Sequence, residues 1–203
     1  MLDQTPRTQF DIVPWNSSFE TGIAIIDEQH SRLVKLLNEL AYSYVCGVDH
    51  SEIERILDAL VEYAAYHFKT EEALWAELPI KDSMFESHLK THNSFVGKVR
   101  TMQSRLATDD SRTVMNNLLS FLISWLAHHI LYEDKRFALV LLHVREGMDL
   151  DSAKQQAHAA MMGQTSVLIQ RVLSMYKELS SRTLALEREA YSRQAAEQAL
   201  AAQ

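Results

Sequence analysis

Apolar positions recur along most of this chain at intervals of three and four, the spacing of helices that bury one face. The first stripe reads Ile26, His30, Leu33, Leu37 and Leu40, and predicts a helix from about Asp27, as N-cap, to Cys46–Gly47, where the glycine makes a stop. A second helix opens on the capping pattern Ser51-Glu-Ile-Glu54 and closes before Pro79. Its inner stripe is Ile53, Ile56, Leu60, Ala64, His67, Glu71 and Leu74. A third opens on Ser83-Met-Phe-Glu86 and runs to about Ala107. The polar string at 108–111 makes a turn, and a fourth helix runs from about Ser111 towards Leu142, with Gly147 beyond it. Four helices of this length on short connections predict an all-α, up-down-up-down four-helix bundle over residues 1–147.

Two segments lie outside that pattern. Residues 1 to about 22 are interrupted by Pro6, Pro14 and Gly22 and read as a non-helical arm, whose Phe10, Trp15 and Phe19 can tuck against the core. Residues 151–203 hold one glycine, Gly163, and a heptad-like series: Ile169, Val172, Tyr176, Leu179, Thr183, Leu186 and Ala190. Such a seam predicts a long C-terminal helix that pairs with a partner helix, as in a homodimer. The series ends in AEQALAAQ with no stop signal, so the chain reads as a helix cut short within a longer protein.

Composition narrows the class. Five glycines in 203 residues are too few for a turn-rich β fold. A net charge of −7 without a basic run argues against nucleic-acid or anionic-lipid partners. A single cysteine, Cys46, excludes an internal disulfide framework and suits a reducing compartment. With neither a signal peptide nor a stretch resembling a membrane span, the expected location is the cytoplasm.

The chemistry lies in the histidines on the inward stripes. His30 sits between Ile26 and Leu33, and His67 has Glu71 one turn on. His88 and His92 share a face of the third helix, and His129 follows Leu122, Trp125 and Leu126 on the fourth, with Glu133 and Asp134 just beyond. Any one of these alone is ordinarily a core residue with a hydrogen-bond partner. Five imidazoles and two carboxylates directed into one core are another matter, because each costs several kcal/mol if left unpaired. A metal satisfies them together. One cysteine argues against structural zinc, and the nitrogen donors argue against calcium or magnesium; a pair of ions such as iron or manganese fits the mixed set. Spacing alone leaves the last carboxylate open: Glu133 at i+4 from His129 suits a regular helix, and Asp134 at i+5 requires a local widening. His128 points about 100° away from that face, while His50, His143 and His158 fall outside the pattern.

Four blocks resemble successive motifs of the hemerythrin family: Gly22-Ile-Ala-Ile-Ile-Asp-Glu-Gln-His30, His67-Phe-Lys-Thr-Glu71-Glu72, His88-Leu-Lys-Thr-His92 and Trp125-Leu-Ala-His-His129-Ile-Leu-Tyr-Glu-Asp134. The resemblance covers roughly residues 12–140. It implies that His88, His92 and His129 hold one iron and His30 and His67 the other. Glu71 and Asp134 would bridge the two with an oxo or hydroxo group, leaving a vacant position on the second iron for dioxygen. It also implies that Leu126 covers the oxygen pocket. Bacterial domains of this kind are often fused through helices to diguanylate cyclase or chemoreceptor outputs. The chain is therefore expected to be a non-catalytic sensor of dioxygen, nitric oxide or redox state that signals through residues 151–203. A stand-alone oxygen carrier is the alternative. A ferritin-like oxidase is disfavoured, since no Glu-x-x-His pair occurs.

Overall fold

The computed structural model describes residues 11–78, 83–107, 110–162 and 164–201, and within the last segment most side chains only beyond 179. Among the described residues there are seven α-helices: α1 (Ala24–Val45), α2 (His50–Trp75), α3 (Ser83–Arg105), α4 (Ser111–His128), α5 (Lys135–Arg145), α6 (Leu150–Met161) and α7 (Gln164–Ala201). No strand occurs among the described residues. Helices α4 and α5 are one rod interrupted by a π-helical stretch, His129–Asp134. Each of α1, α2, α3 and the α4 rod packs on its neighbours in sequence, and α1 on α4 closes the ring, so the expected all-α bundle is what the chain forms.

Helix ends follow local chemistry, with two departures from the spacing. Asp27 does not stand before α1 but inside its first turn. Its carboxylate accepts from the Thr21 N–H and hydroxyl at 2.6 and 2.7 Å and from the Gly22 N–H at 3.1 Å. An acidic group in the first turn is favoured by the helix dipole, and the helix starts three residues in front of it, at Ala24. Helix α2 starts at His50 after Asp49, and no side chain caps it. At α4 the cap is Asp110, whose carboxylate accepts from the backbone N–H groups of Arg112 and Thr113.

The N-terminal arm holds a short 3-10 turn, Ser17–Phe19, with Phe19 buried and Trp15 stacked on it at a ring separation of 5.4 Å. Phe10 lies outside the described residues. Buried Asn38 on α1 anchors the arm, accepting from the Val13 N–H and donating to the Val13 carbonyl, both at 2.9 Å. Both bonds are out of water, so Asn38→Ala strands a backbone donor and acceptor. The expected loss is about 1–3 kcal/mol in chemical denaturation.

The segment beyond 150 is two helices rather than one. Ala153 and Ala157 of α6 are fully buried against a cluster containing Trp75, Phe137, Val140 and Leu141. Helix α7 lies along α4 and α1. Leu184 and Ser180 face the bundle, with the Ser180 hydroxyl donating to the Ile12 carbonyl and Arg188 to the Tyr44 hydroxyl. Four of the seven heptad-like positions, Ile169, Val172, Tyr176 and Leu179, have side chains outside the described set. Of the rest, Thr183 is half-buried, Ala190 is exposed and Leu186 is 67% exposed, so Leu186 and Ala190 are turned away from the bundle.

One sequence expectation needs correction. The α4–α5 rod, Ser111–Arg145, is long and apolar enough to cross a membrane by length and composition. In the fold, 61% of its apolar window is buried inside the protein, which accounts for that hydrophobicity as core packing.

Candidate metal centre

A polar layer separates two apolar clusters inside the bundle. Phe68, from the larger cluster, stacks on His92 at 3.9 Å, and Trp75, from the smaller, stands edge-on to His88 at 4.2 Å. Between them converge His30 from α1, His67 and Glu71 from α2, His88 and His92 from α3, and His129 and Asp134 from the two ends of the π-helical stretch. None of the seven is more than 4% exposed.

Their donor atoms form two interlocked sets. Glu71, His88, His92 and His129 offer atoms that all lie within 4.8 Å of one another, and so do His30, His67, Glu71 and Asp134. Glu71 belongs to both: its Oε2 lies 3.6 Å from His67 Nε2, 3.2 Å from His92 Nε2 and 3.7 Å from His88 Nε2. Asp134 spans them differently. Its Oδ2 is 3.1 Å from His30 Nε2, while its Oδ1 is 3.3 and 3.4 Å from the Nε2 atoms of His129 and His88. Each carboxylate can therefore touch a cation on either side.

The widened turn makes Asp134 available. A regular α-helix would bring position 133 onto the face of His129. The π-helical stretch inserts one residue, turning Asp134 inward and leaving Glu133 behind the ring, its Oε2 3.1 Å from His129 Nδ1. Both acidic residues touch His129, Asp134 from within the layer and Glu133 from behind the ring. His128 has its side chain 41% exposed, with its Nδ1 3.8 Å from the outer face of Glu133.

Hydrogen bonds behind the rings set which nitrogen faces inward. The Gln29 amide donates from Nε2 to the Thr70 hydroxyl, itself a donor to the Tyr66 carbonyl, so Oε1 is turned to His67 Nδ1 at 3.0 Å. His67 must carry its proton there, which leaves Nε2 as a bare lone pair pointing into the layer. Glu133 Oε2 stands behind His129 in the same way, accepting from its Nδ1–H. The inward atoms find little else: His30 Nε2, His67 Nε2, His88 Nε2, Glu71 Oε2 and both oxygens of Asp134 are buried without a properly directed hydrogen bond. Orphaned lone pairs at this density are what a cation would satisfy.

Electrostatics shows the same crowding. Burial drives His67 well below its ordinary value, with His30 adding to the effect, and burial brings His92 down to about 4. His129 goes the other way: burial opposes its charge, but Asp134, Glu133 and Glu71 together raise it to about 10. Against the same burial, His129 and His30 hold Asp134 far below the carboxylate range. Glu71 is also lowered: burial and Asp134 push it up, and His129, His88 and His92 outweigh them. Perturbations of opposite sign within one enclosed cluster mark a functional site.

Sequence reasoning placed these seven residues and missed those that frame them. The rings Phe68 and Trp75 recur at helical spacing with Ala64 and Glu71 and could have been read from that stripe; Gln29 was visible only as the neighbour of His30. Leu126 is buried and lines a small apolar cavity with Leu33, Leu37, Ala64, Phe68 and Trp125, next to the histidine layer.

A ring of helices around a buried nitrogen- and oxygen-donor cluster defines a metal-binding helical-bundle protein. Residues 21–140 match the family described as the Hemerythrin HHE cation binding domain. The chain belongs to the hemerythrin family, non-haem iron proteins that bind dioxygen. It is similar to the Bacteriohemerythrin of Pseudomonas aeruginosa, 30% identical over 129 residues, covering 64% of this chain and 81% of that protein. The Bacteriohemerythrin of Clostridium acetobutylicum is 31% identical over 126 residues, 61% of this chain and 96% of its own length. A Hemerythrin-like protein of Naegleria gruberi is 32% identical over 127 residues, 63% of this chain and 92% of its own. No solved structure gives a significant match.

Proposed function

We propose that this chain holds two iron ions at the seven-residue cluster, binds dioxygen reversibly there, and acts as an oxygen or redox sensor. The supporting observation is the pair of interlocked donor sets joined by Glu71, with both oxygens of Asp134 reaching across. His88, His92 and His129 would serve one ion, His30 and His67 the other, and the two carboxylates both, with an oxo or hydroxo group between the ions. The set with two imidazoles is poorer by one donor, so its ion keeps a position for an external ligand. When bound, such a pair supplies reversible one-electron chemistry at each ion.

The protein's own residues do the rest. Gln29 and Glu133 aim imidazole lone pairs inward, while Phe68, Trp75 and Leu126 keep the layer dry. Leu126 would cover the oxygen pocket from the cavity side. In this reading the bundle, residues 1–147, is the sensing unit, and residues 151–203 carry its state onward. Helix α7 rests on α4, the rod that contributes His129, and turns Leu186 outward towards a second copy or an output module. A ligand at the iron pair must favour one α7 arrangement over another by ~1–3 kcal/mol for this to work. Nitric oxide is a second candidate signal, and the cytoplasm, a reducing compartment, the proposed location. A stand-alone oxygen carrier would need the bundle alone.

Exposing the ferrous protein to air should produce near-ultraviolet and visible charge-transfer bands that fade on deoxygenation; a colourless protein would refute dioxygen binding. For the sensor role, the full chain should be a dimer and a chain lacking 165–203 a monomer with altered oxygen affinity. If both properties are the same in the two forms, the carrier reading replaces the sensor.

A further inference from the structure

The rings facing the two halves of the cluster are alike, but what stands behind them is not. On the three-histidine side the outer partners are carboxylates: Glu133 Oε2 lies 3.1 Å from His129 Nδ1 and 3.7 Å from His88 Nδ1, and Glu72 Oε1 lies 3.5 Å from His92 Nδ1. On the two-histidine side the partner among the described residues is a neutral amide, Gln29 Oε1 at 3.0 Å from His67 Nδ1. His30 Nδ1 is buried with no hydrogen bond, and so is His92 Nδ1, to which Glu72 adds a nearby charge rather than a bond. Two acidic side chains thus stand behind one half of the centre, and no carboxylate contacts the outer nitrogens of the other half.

We infer that Glu72 and Glu133 are positioning residues that set the order of oxidation, favouring the ferric state of the ion held by His88, His92 and His129 over that of the ion held by His30 and His67. The inference rests on the two-ion reading above. A carboxylate that accepts an Nδ1–H bond makes the imidazole a stronger donor through Nε2. Its negative charge also sits within Coulombic range of the metal in a dry layer, where it stabilises a triply charged ion more than a doubly charged one. An amide carbonyl orients its ring and adds no net charge. Outer hydrogen bonding and charge are recognised levers on the potential of protein-bound iron. The consequence is a half-oxidised centre with its ferric charge on the three-histidine side and its remaining ferrous ion on the side with the free position.

The test is an equilibrium redox titration of the iron-loaded full chain, in which each electron leaving Fe2+ passes to a soluble one-electron mediator. Iron-57 Mössbauer spectra give the ferric fraction, and metal analysis the iron per chain. Glu133→Gln keeps the ring's hydrogen-bond acceptor and removes its charge. At a fixed mediator ratio it should lower the ratio of half-oxidised to fully reduced protein on the order of 10-fold, the low end of what loss of an outer partner costs a metal site. Glu133→Asp, which retains the charge, should restore most of that loss. Glu72→Gln replaces a side chain that is 37% exposed and leaves the packing intact, so it guards against a folding defect at 133 and should shift the ratio in the same direction. Two irons per chain with wild-type ratios in both glutamine variants would overturn the inference and leave the two-ion reading standing. Fewer than two irons in the wild-type chain would overturn both.

Discussion

Glu71→Ala is expected to empty both halves of the centre at once. No other side chain belongs to both donor sets, and Glu71 Oε2 approaches His67 on one side and His88, His92 and His129 on the other. Removing it takes one ligand from each ion and one of the two carboxylates within the layer, leaving Asp134. Iron per chain should fall from about two to near zero, because neither residual set offers enough donors for a six-coordinate ion. His30→Ala removes a ligand of one set only and should leave about one iron. His143→Ala, remote from the cluster and beside Glu146, should leave the content unchanged. Metal analysis of the three variants, each checked for helicity, separates a shared carboxylate from two independent sites. Full loading of the Glu71→Ala protein would show that Glu71 bridges nothing.

Removing the metal should destabilise the fold strongly, and more so in acid. At free metal about 1,000-fold above the dissociation constant, binding contributes ~4 kcal/mol to the folded state. For a chain of this size each kcal/mol is about 2–4 °C in Tm, so chelation under reducing conditions should lower Tm by about 10 °C. The metal-free protein should then lose further stability as pH falls from about 6.5 to 4. The unfolded chain binds protons at His67 and His92 from pH 6.5 downwards, whereas in the fold burial holds His67 well below that value and brings His92 to about 4. Their contribution is thus present above pH 6.5 and drains away below it. His129, raised to about 10, acts in the opposite window, its contribution complete below pH 6.5 and lost as pH rises towards 10. Calorimetry of the metal-free protein at pH 7, 5.5 and 4 checks the sign; a flat profile would mean the cluster opens to water when empty.

The bundle and its donors were legible because both depend on one periodicity. Residues three and four apart share a face whatever surrounds them, so His30, His67, Glu71, His88 and His92 could be placed on inward stripes from spacing alone. Asp134 could not, because its position depends on one extra residue in a turn, and nothing in the string HILYED favours a π-helical stretch over a regular one before the fold closes around it. Gln29 was illegible for another reason. It reaches His67 across 38 positions of sequence, and such pairings are visible only when α1 and α2 are set side by side. Asp27 misled because its helix-start chemistry is real but acts from within the first turn. In the C-terminal segment the spacing predicts a heptad-like seam, whereas among the described side chains those buried on the bundle are Ser180 and Leu184, one step round the helix from Leu179 and Thr183. Periodicity says that a helix has a face; which neighbour covers the face is tertiary information.

The most direct test of the central proposal is anomalous diffraction at the iron edge from crystals grown of iron-replete, reduced protein. Two iron peaks should lie in the layer between Phe68 and Trp75, one approached by His88, His92 and His129 and the other by His30 and His67, with Glu71 and Asp134 reaching both. A single peak, or side chains closed on one another with no iron between them, would contradict it.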